Sequence, residues 1–259
     1  MKKEKIIAIG GGVGPMAGVE LHKKIIENTL TDGTDQDHLE VHHFSRSHDV
    51  ADRTDYLLHK VAQNPAEGMF RTMQMAEQAA CIGQRGIVAG VPCNTFHAPK
   101  IFQRLLELIQ EHTIGIKILH MLEEVADLIF QIQPQAKTVG LMSTTGTRTV
   151  HVYNDVLESR GLKIVEVPQD IQPELHESIY NKAWGIKAVT PVTSKARGNF
   201  EKYANLLCEQ GAQAIILGCT EIPLALPEKT FNDVPLIDPM LALARTLVRE
   251  VDEEKLRPL

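Results

Sequence analysis

The chain has 259 residues, with 27 Lys+Arg against 33 Asp+Glu and a formal net charge of −6. That length suits two ordinary domains, and 43% hydrophobic with 23% charged residues excludes disorder as the default. A mildly acidic chain is poorly suited to phosphate backbones or anionic membrane surfaces, so neither nucleic acid nor membrane is expected as a partner.

Lys5–Ile9 is a short β-branched run that ends in glycines and predicts a buried strand. It is too short for a signal segment, and no stretch approaches the roughly 18 apolar residues that span a bilayer. A soluble cytoplasmic protein is expected. Pro15–Leu30 carries Val19, Ile25, Ile26 and Leu30 near helical spacing. Leu39–Phe44 predicts a second strand. Asn64-Pro65 predicts a capped helix start running to about Cys81. Gly86–Val91 predicts a buried strand and Pro99–His112 a helix. The same grammar then restarts. Ile114–Ile118, Lys137–Met142, Leu162–Val167, Ala212–Leu217 and Pro235–Ile237 read as strands. His120–Gln131, Thr149–Ser159, Asn199–Gln210 and Pro239–Glu250 read as helices.

Strands alternating with helices imply βαβ units and mostly parallel sheets. A weak internal echo, in which each half has a strand leading into a Gly-containing turn and a later strand ending at a cysteine, points to two similar lobes. The expected fold is α/β, with each lobe a mostly parallel sheet flanked by helices. Residues 1–113 plus about 235–259 would form the first lobe and 114–234 the second.

Four cysteines in a chain of this length are not a disulfide framework. Cys93, in Gly90-Val-Pro-Cys-Asn-Thr-Phe-His97, and Cys219, in Leu217-Gly-Cys-Thr-Glu221, each follow a buried strand. They fall at the strand ends outside which open α/β sheets bind ligands. Cys81 and Cys208 fall at apolar helix positions and read as inert core thiols. Two thiols on opposite faces of an α-carbon can remove a proton from one side and return one from the other. The reference thiol pKa near 8.5 allows either role.

With these blocks the chain resembles the cofactor-independent aspartate/glutamate racemase family, and its aspartate racemase branch. The matching pieces are GGGVGPMAG, Asp52-Arg53-Thr54, Pro92-Cys-Asn-Thr-x-His97 and Leu217-Gly-Cys-Thr-Glu221. The resemblance implies Cys93 and Cys219 as acid/base thiols. Asn94, Thr95 and Thr220 would hold the substrate carboxylate or amino group, and Arg53 its second carboxylate, a task that suits a bidentate guanidinium. Lys187, in Gly-Ile-Lys-Ala, matches a family lysine facing the site. His97 and Glu221 read as supporting residues. The family needs no pyridoxal phosphate, metal or nucleotide, and it places the site between two lobes, usually in a homodimer. The expected substrate is a small dicarboxylic amino acid, aspartate or alternatively glutamate. Val13 replaces a usual Met, and Arg46 and His48 are unusual before the Asp-Arg-Thr run. They leave open the choice of amino acid.

Gly12, Val13 and Gly14 open a helix, where free amides suit a carboxylate. The turn also satisfies a dinucleotide fingerprint in its Ala variant, but Pro15 removes an amide a pyrophosphate would use. The alternatives are a maleate isomerase or hydantoin racemase, an arylmalonate decarboxylase, for which one thiol would suffice, or a carboxylate-binding homologue without activity. His38, His42, His43 and His48 invite a metal, yet His42 and His43 face opposite sides of a strand and no zinc-binding motif lies near.

Overall fold

The computed structural model describes residues 4–259. They form two compact units. One comprises the chain through Met121 together with Met240–Leu259, and the other is the continuous segment Leu122–Pro239.

In the first unit the chain runs β1 (Lys5–Gly11), α1 (Pro15–Glu27), β2 (Val41–Ser45), α2 (Arg53–Leu57), α3 (Pro65–Ile82), β3 (Gly86–Gly90), α4 (Pro99–Glu111) and β4 (Ile116–Ile118). The strands form a parallel sheet in the order β2-β1-β3-β4. Continuous apolar runs at Ile6–Ile9 and Ile87–Ala89 suit central strands covered on both faces. Helix α3 begins where Asn64-Pro65 predicts: the Asn64 side chain accepts a hydrogen bond from the Ala66 amide at 3.0 Å. Helix α4 buries Ile101, Phe102, Leu105, Leu108 and Ile109, one face of a helix. Each such side chain contributes about 1.5–3 kcal/mol on burial.

The second unit contains α5 (Met121–Ile132), β5 (Thr138–Ser143), α6 (Thr145–Thr149), α7 (Asn154–Ser159), β6 (Lys163–Glu166), α8 (Gln172–Tyr180), α9 (Ser194–Glu209), β7 (Ala214–Gly218), β8 (Thr230–Phe231) and β9 (Val234–Ile237). Its sheet order is β6-β5-β7-β9-β8, parallel except for the β8–β9 hairpin. Phe200, Tyr203, Leu207, Ile215 and Leu217 centre its core. Helix α10 (Pro239–Val251) returns to the first unit. There Lys5 donates to the Glu250 carbonyl at 2.7 Å, and Lys117 pairs with the Glu250 carboxylate at 2.7 Å.

Two strands lie elsewhere than the sequence reading places them. The strand expected to open the second lobe is β4, and it pairs with β3 in the first sheet through Ile87↔Ile116. The turn after α4 returns the chain beside the strand it left, the usual outcome of a short crossover. The strand expected to rejoin the first lobe is β9, and it pairs with β7 through Ile215↔Leu236. It is held there by the β8–β9 hairpin, whose two central residues, Asn232 and Asp233, both have positive φ, the geometry of a tight primed turn. The helix expected near Thr149–Ser159 is two short ones, α6 and α7. Cys81 is exposed rather than in the core, because the buried face of α3 runs through Met69, Met73, Ala76 and Ala80.

Candidate functional site

The sequence-predicted residues gather in two clusters, one per unit. In the first unit, β1 and β3 are neighbours in register Ile9↔Gly90, so the turns after them share one sheet edge. Gly12 has φ +86° and Gly14 has φ +137°, backbone that L side chains avoid. A Cβ at Gly12 would lie 2.6 Å from the backbone nitrogens of Arg46 and Ser47. Val13 is buried. Arg53, first residue of α2, reaches this turn: Nη2 donates to the Val13 carbonyl at 3.0 Å and Nη1 to the Ala51 carbonyl at 3.4 Å. Asp52 caps α2 by accepting from the Asp55 amide at 2.9 Å. Arg46 pairs with Asp49 at 3.0 Å, and His48 is exposed.

Cys93 is 9% exposed and leads from β3 into a 3-10 turn, Asn94–His97, against which α2 packs. Asn94 is buried and Thr95 half-buried. His97 donates from Nδ1 to the Cys93 carbonyl at 2.9 Å; a carbonyl only accepts, which fixes the tautomer. This supporting residue thus bonds to the backbone of Cys93 and not to its thiol. Burial, and next the neighbouring His120, push the His97 pKa down to about 3, so the ring stays neutral. It stacks on Phe102 at 5.0 Å.

In the second unit, β5 and β7 are paired in register Ser143↔Gly218, and Cys219 follows at 6% exposure. Its Sγ donates to Glu221 Oε2 at 3.1 Å, and Thr220 Oγ1 donates to the same oxygen at 3.0 Å. Lys187 pairs with the other oxygen, Oε1, and its ammonium lies 5.6 Å from the Tyr180 ring centroid. Burial opposes the charge of Glu221, but the Lys187 charge and hydrogen bonds from Lys187, Cys219 and Thr220 hold its pKa below the usual value. Burial pushes the Cys219 thiol far up; Glu221 adds to this and Lys187 opposes it. Burial likewise disfavours the Lys187 ammonium, yet Cys219, Glu221 and Tyr180 outweigh it and raise its pKa.

The sequence reading missed several neighbours of this cluster. Tyr153 is fully buried, and its pKa is raised by burial, then by Asp238 and Cys219. Gln172 donates to the Ser143 carbonyl at 3.0 Å and accepts from Arg148 at 2.9 Å. The polar turn after β5 was the available signal for Ser143; nothing in the spacing marked Tyr153. Among the described residues no group of three or more His, Cys, Asp or Glu could hold a metal ion. His42 pairs with Glu40 at 2.7 Å. Among the same residues no helix is long and apolar enough to cross a membrane.

Each of the two mostly parallel sheets, flanked by helices, thus has a buried cysteine in the turn after a central strand. An aspartate racemase of Picrophilus torridus superposes with a TM-score of 0.75 at 25% identity, over 96% of this chain and 94% of that one. An aspartate racemase homologue from Pyrococcus horikoshii OT3 shares the fold, with a TM-score of 0.70 at 21% identity over 96% and 99%. A glutamate racemase from Francisella tularensis subsp. tularensis in complex with D-glutamate does so at 0.53, 18% identical, over 99% and 84%. An uncharacterised protein in the pnlA 3′ region of Pectobacterium carotovorum subsp. carotovorum is 31% identical over 108 residues, 40% of this chain and 67% of that protein. The profile of the Asp/Glu/Hydantoin racemase family matches residues 11–247. The chain belongs to that family and is by class an amino-acid racemase, an isomerase.

Proposed function

We propose that the chain interconverts the L- and D-forms of a small acidic amino acid, aspartate with glutamate as the alternative, by a two-base mechanism without a cofactor. The observation that carries this reading is the pairing of two buried cysteines at equivalent strand ends, one in each unit. The likeness to the Picrophilus torridus aspartate racemase supports the acidic substrate.

Both thiols would act on one substrate molecule. One sulfur, as thiolate, takes the α-proton and becomes S–H; the electron pair passes toward the α-carboxylate; the opposite S–H gives its proton to the other face of the α-carbon. The roles are then exchanged. Without a cofactor as electron sink, fixed donors must stabilise the developing charge. The amides of Gly12, Val13 and Gly14, with Asn94, Thr95 and Thr220, suit that task. Arg53, already oriented by Val13 and Ala51, would hold the second carboxylate. A homodimer and a cytoplasmic location belong to the same proposal and rest on the family resemblance.

Incubation of L- and D-amino acids in deuterated water, followed by NMR, tests the reading. The α-proton signals of aspartate or glutamate should fade from both enantiomers, with the opposite enantiomer appearing. Binding of acidic amino acids with no α-exchange would replace the enzyme by a carboxylate-binding homologue. Exchange on maleate or hydantoins alone would move it to another reaction of the superfamily.

A further inference from the structure

We propose that Glu221, held by Lys187, fixes Cys219 as the protonated member of the thiol pair in the resting protein, which makes Glu221 a positioning residue for the proton that Cys219 delivers. This deepens the two-base reading and rests on it.

The argument starts from hydrogen-bond capacity. An ionised carboxylate only accepts, and a thiolate also only accepts. Glu221 pairs with an ammonium through one oxygen and takes Thr220 and Cys219 on the other, the partners of an ionised carboxylate. A contact of 3.1 Å between Cys219 Sγ and that carboxylate is then a hydrogen bond only if sulfur carries the hydrogen. A thiolate there would set two anions side by side at low exposure, an arrangement that burial strongly disfavours.

Lys187 serves two opposed ends. Its charge favours a thiolate at Cys219, yet its pairing with Glu221 keeps the carboxylate ionised and so keeps the sulfur protonated. Tyr153, whose buried phenol stays neutral, feels the charge of Cys219 and of Asp238. Tyr180 touches the network through Lys187 only. Among the described residues no carboxylate is shown bonded to the Cys93 thiol, and its turn is closed by a neutral imidazole bonded to its backbone. After Cys219 has delivered its proton, the thiolate left beside Glu221 is the less stable form. The free protein therefore rests with Cys219 protonated, and the direction in which Cys219 is the donor starts from the populated form.

The test is alkylation by iodoacetamide across pH, read cysteine by cysteine by peptide mass mapping. In the wild type, the midpoint for Cys219 should lie above that of exposed Cys81. Glu221→Gln removes the carboxylate charge and leaves Lys187 beside the sulfur. The Cys219 midpoint should then fall by about one pH unit or more, about tenfold faster reaction at about pH 8. Adding Lys187→Met to Glu221→Gln should return most of that shift. Cys208, in α9 of the same unit, reports folding by an unchanged rate. If Glu221→Gln does not fold, Lys187→Met and the double variant form a second pair, in which loss of the carboxylate must still lower the midpoint. A midpoint that stays or rises on loss of Glu221, in either pair, overturns the proposal. The measurement needs no turnover, so failure of the racemase reading would appear in the α-proton exchange and not here.

Discussion

Cys93 and Cys219 end equivalent strands, but their surroundings are built from different interactions. The turn at Cys93 is fixed through the backbone: His97 holds its carbonyl, and Arg53 holds the carbonyl of Val13 in the adjoining glycine turn. The turn at Cys219 is fixed through charge: a carboxylate gathers a thiol, a hydroxyl and an ammonium. Two thiols in like positions of two sheets need not have like environments. Among the described residues no carboxylate is shown bonded to the Cys93 thiol, whereas the Cys219 thiol has a carboxylate acceptor.

The largest effect should come from the sulfurs. Cys93→Ala and Cys219→Ala should each lower racemisation in both directions by about 10²–10⁴-fold, the range of a lost general acid or base. One-sided α-proton exchange should survive with the remaining thiol. Normal racemisation in both variants would remove the two-base reading. Next in size is the charge contrast. Lys187→Met strands the Glu221 carboxylate at 10% side-chain exposure and should cost about 3 kcal/mol in denaturant unfolding. Arg53→Met removes the hydrogen bonds to the Val13 and Ala51 carbonyls and should cost about 1 kcal/mol. Equal losses would erase the distinction between the two clusters.

Gly12→Ala tests the backbone side. A side chain there must accept φ +86° and press on the nitrogens of Arg46 and Ser47, so about 1–3 kcal/mol of stability should go. Thermal unfolding would measure it, and an unchanged midpoint would show that the turn is not held as described. His97→Asn should have the smallest effect, keeping a donor for the Cys93 carbonyl at a cost of about 1 kcal/mol. Its signature is the pH dependence. In the unfolded chain His97 binds a proton near its ordinary 6.5, whereas in the folded protein its pKa is about 3. The unfolded state thus holds more protons between those values, and stability falls as pH drops below about 6.5. The variant should flatten that part of the profile; an unchanged slope would mean that His97 is not the neutral anchor.

Local chemistry was legible in the sequence, and long-range pairing was not. Asn64-Pro65 announced a helix because a cap and a proline act within one turn. The glycines announced a strand-to-helix turn for the same reason. Helix α8 was missed: its buried residues Gln172, Leu175, Ser178 and Ile179 mix polar with apolar, so no hydrophobic period marks it. Helix α2 has five residues, too few for any period. The Lys187–Glu221 pair joins positions 34 residues apart, and spacing along a chain carries no trace of such a contact. Arg53 stood out only because it matches a known family pattern, whereas the two cysteine blocks were marked also by their place at strand ends. The strands β4 and β9 went to the opposite sheet from the expected one because hydrogen-bond partners, unlike strand character, are decided in three dimensions.

Helix α10 belongs to the first unit although it lies after the whole of the second. Leu243 on that helix packs against Gly90, at the end of β3 just before Cys93, and Glu250 ties together Lys5 of β1 and Lys117 of β4. During synthesis on the ribosome, then, the inserted segment that carries Cys219 can finish its sheet first. The half whose strands precede the inserted segment stays incomplete until Pro239–Val251 has emerged, so strands made before that segment mature after it.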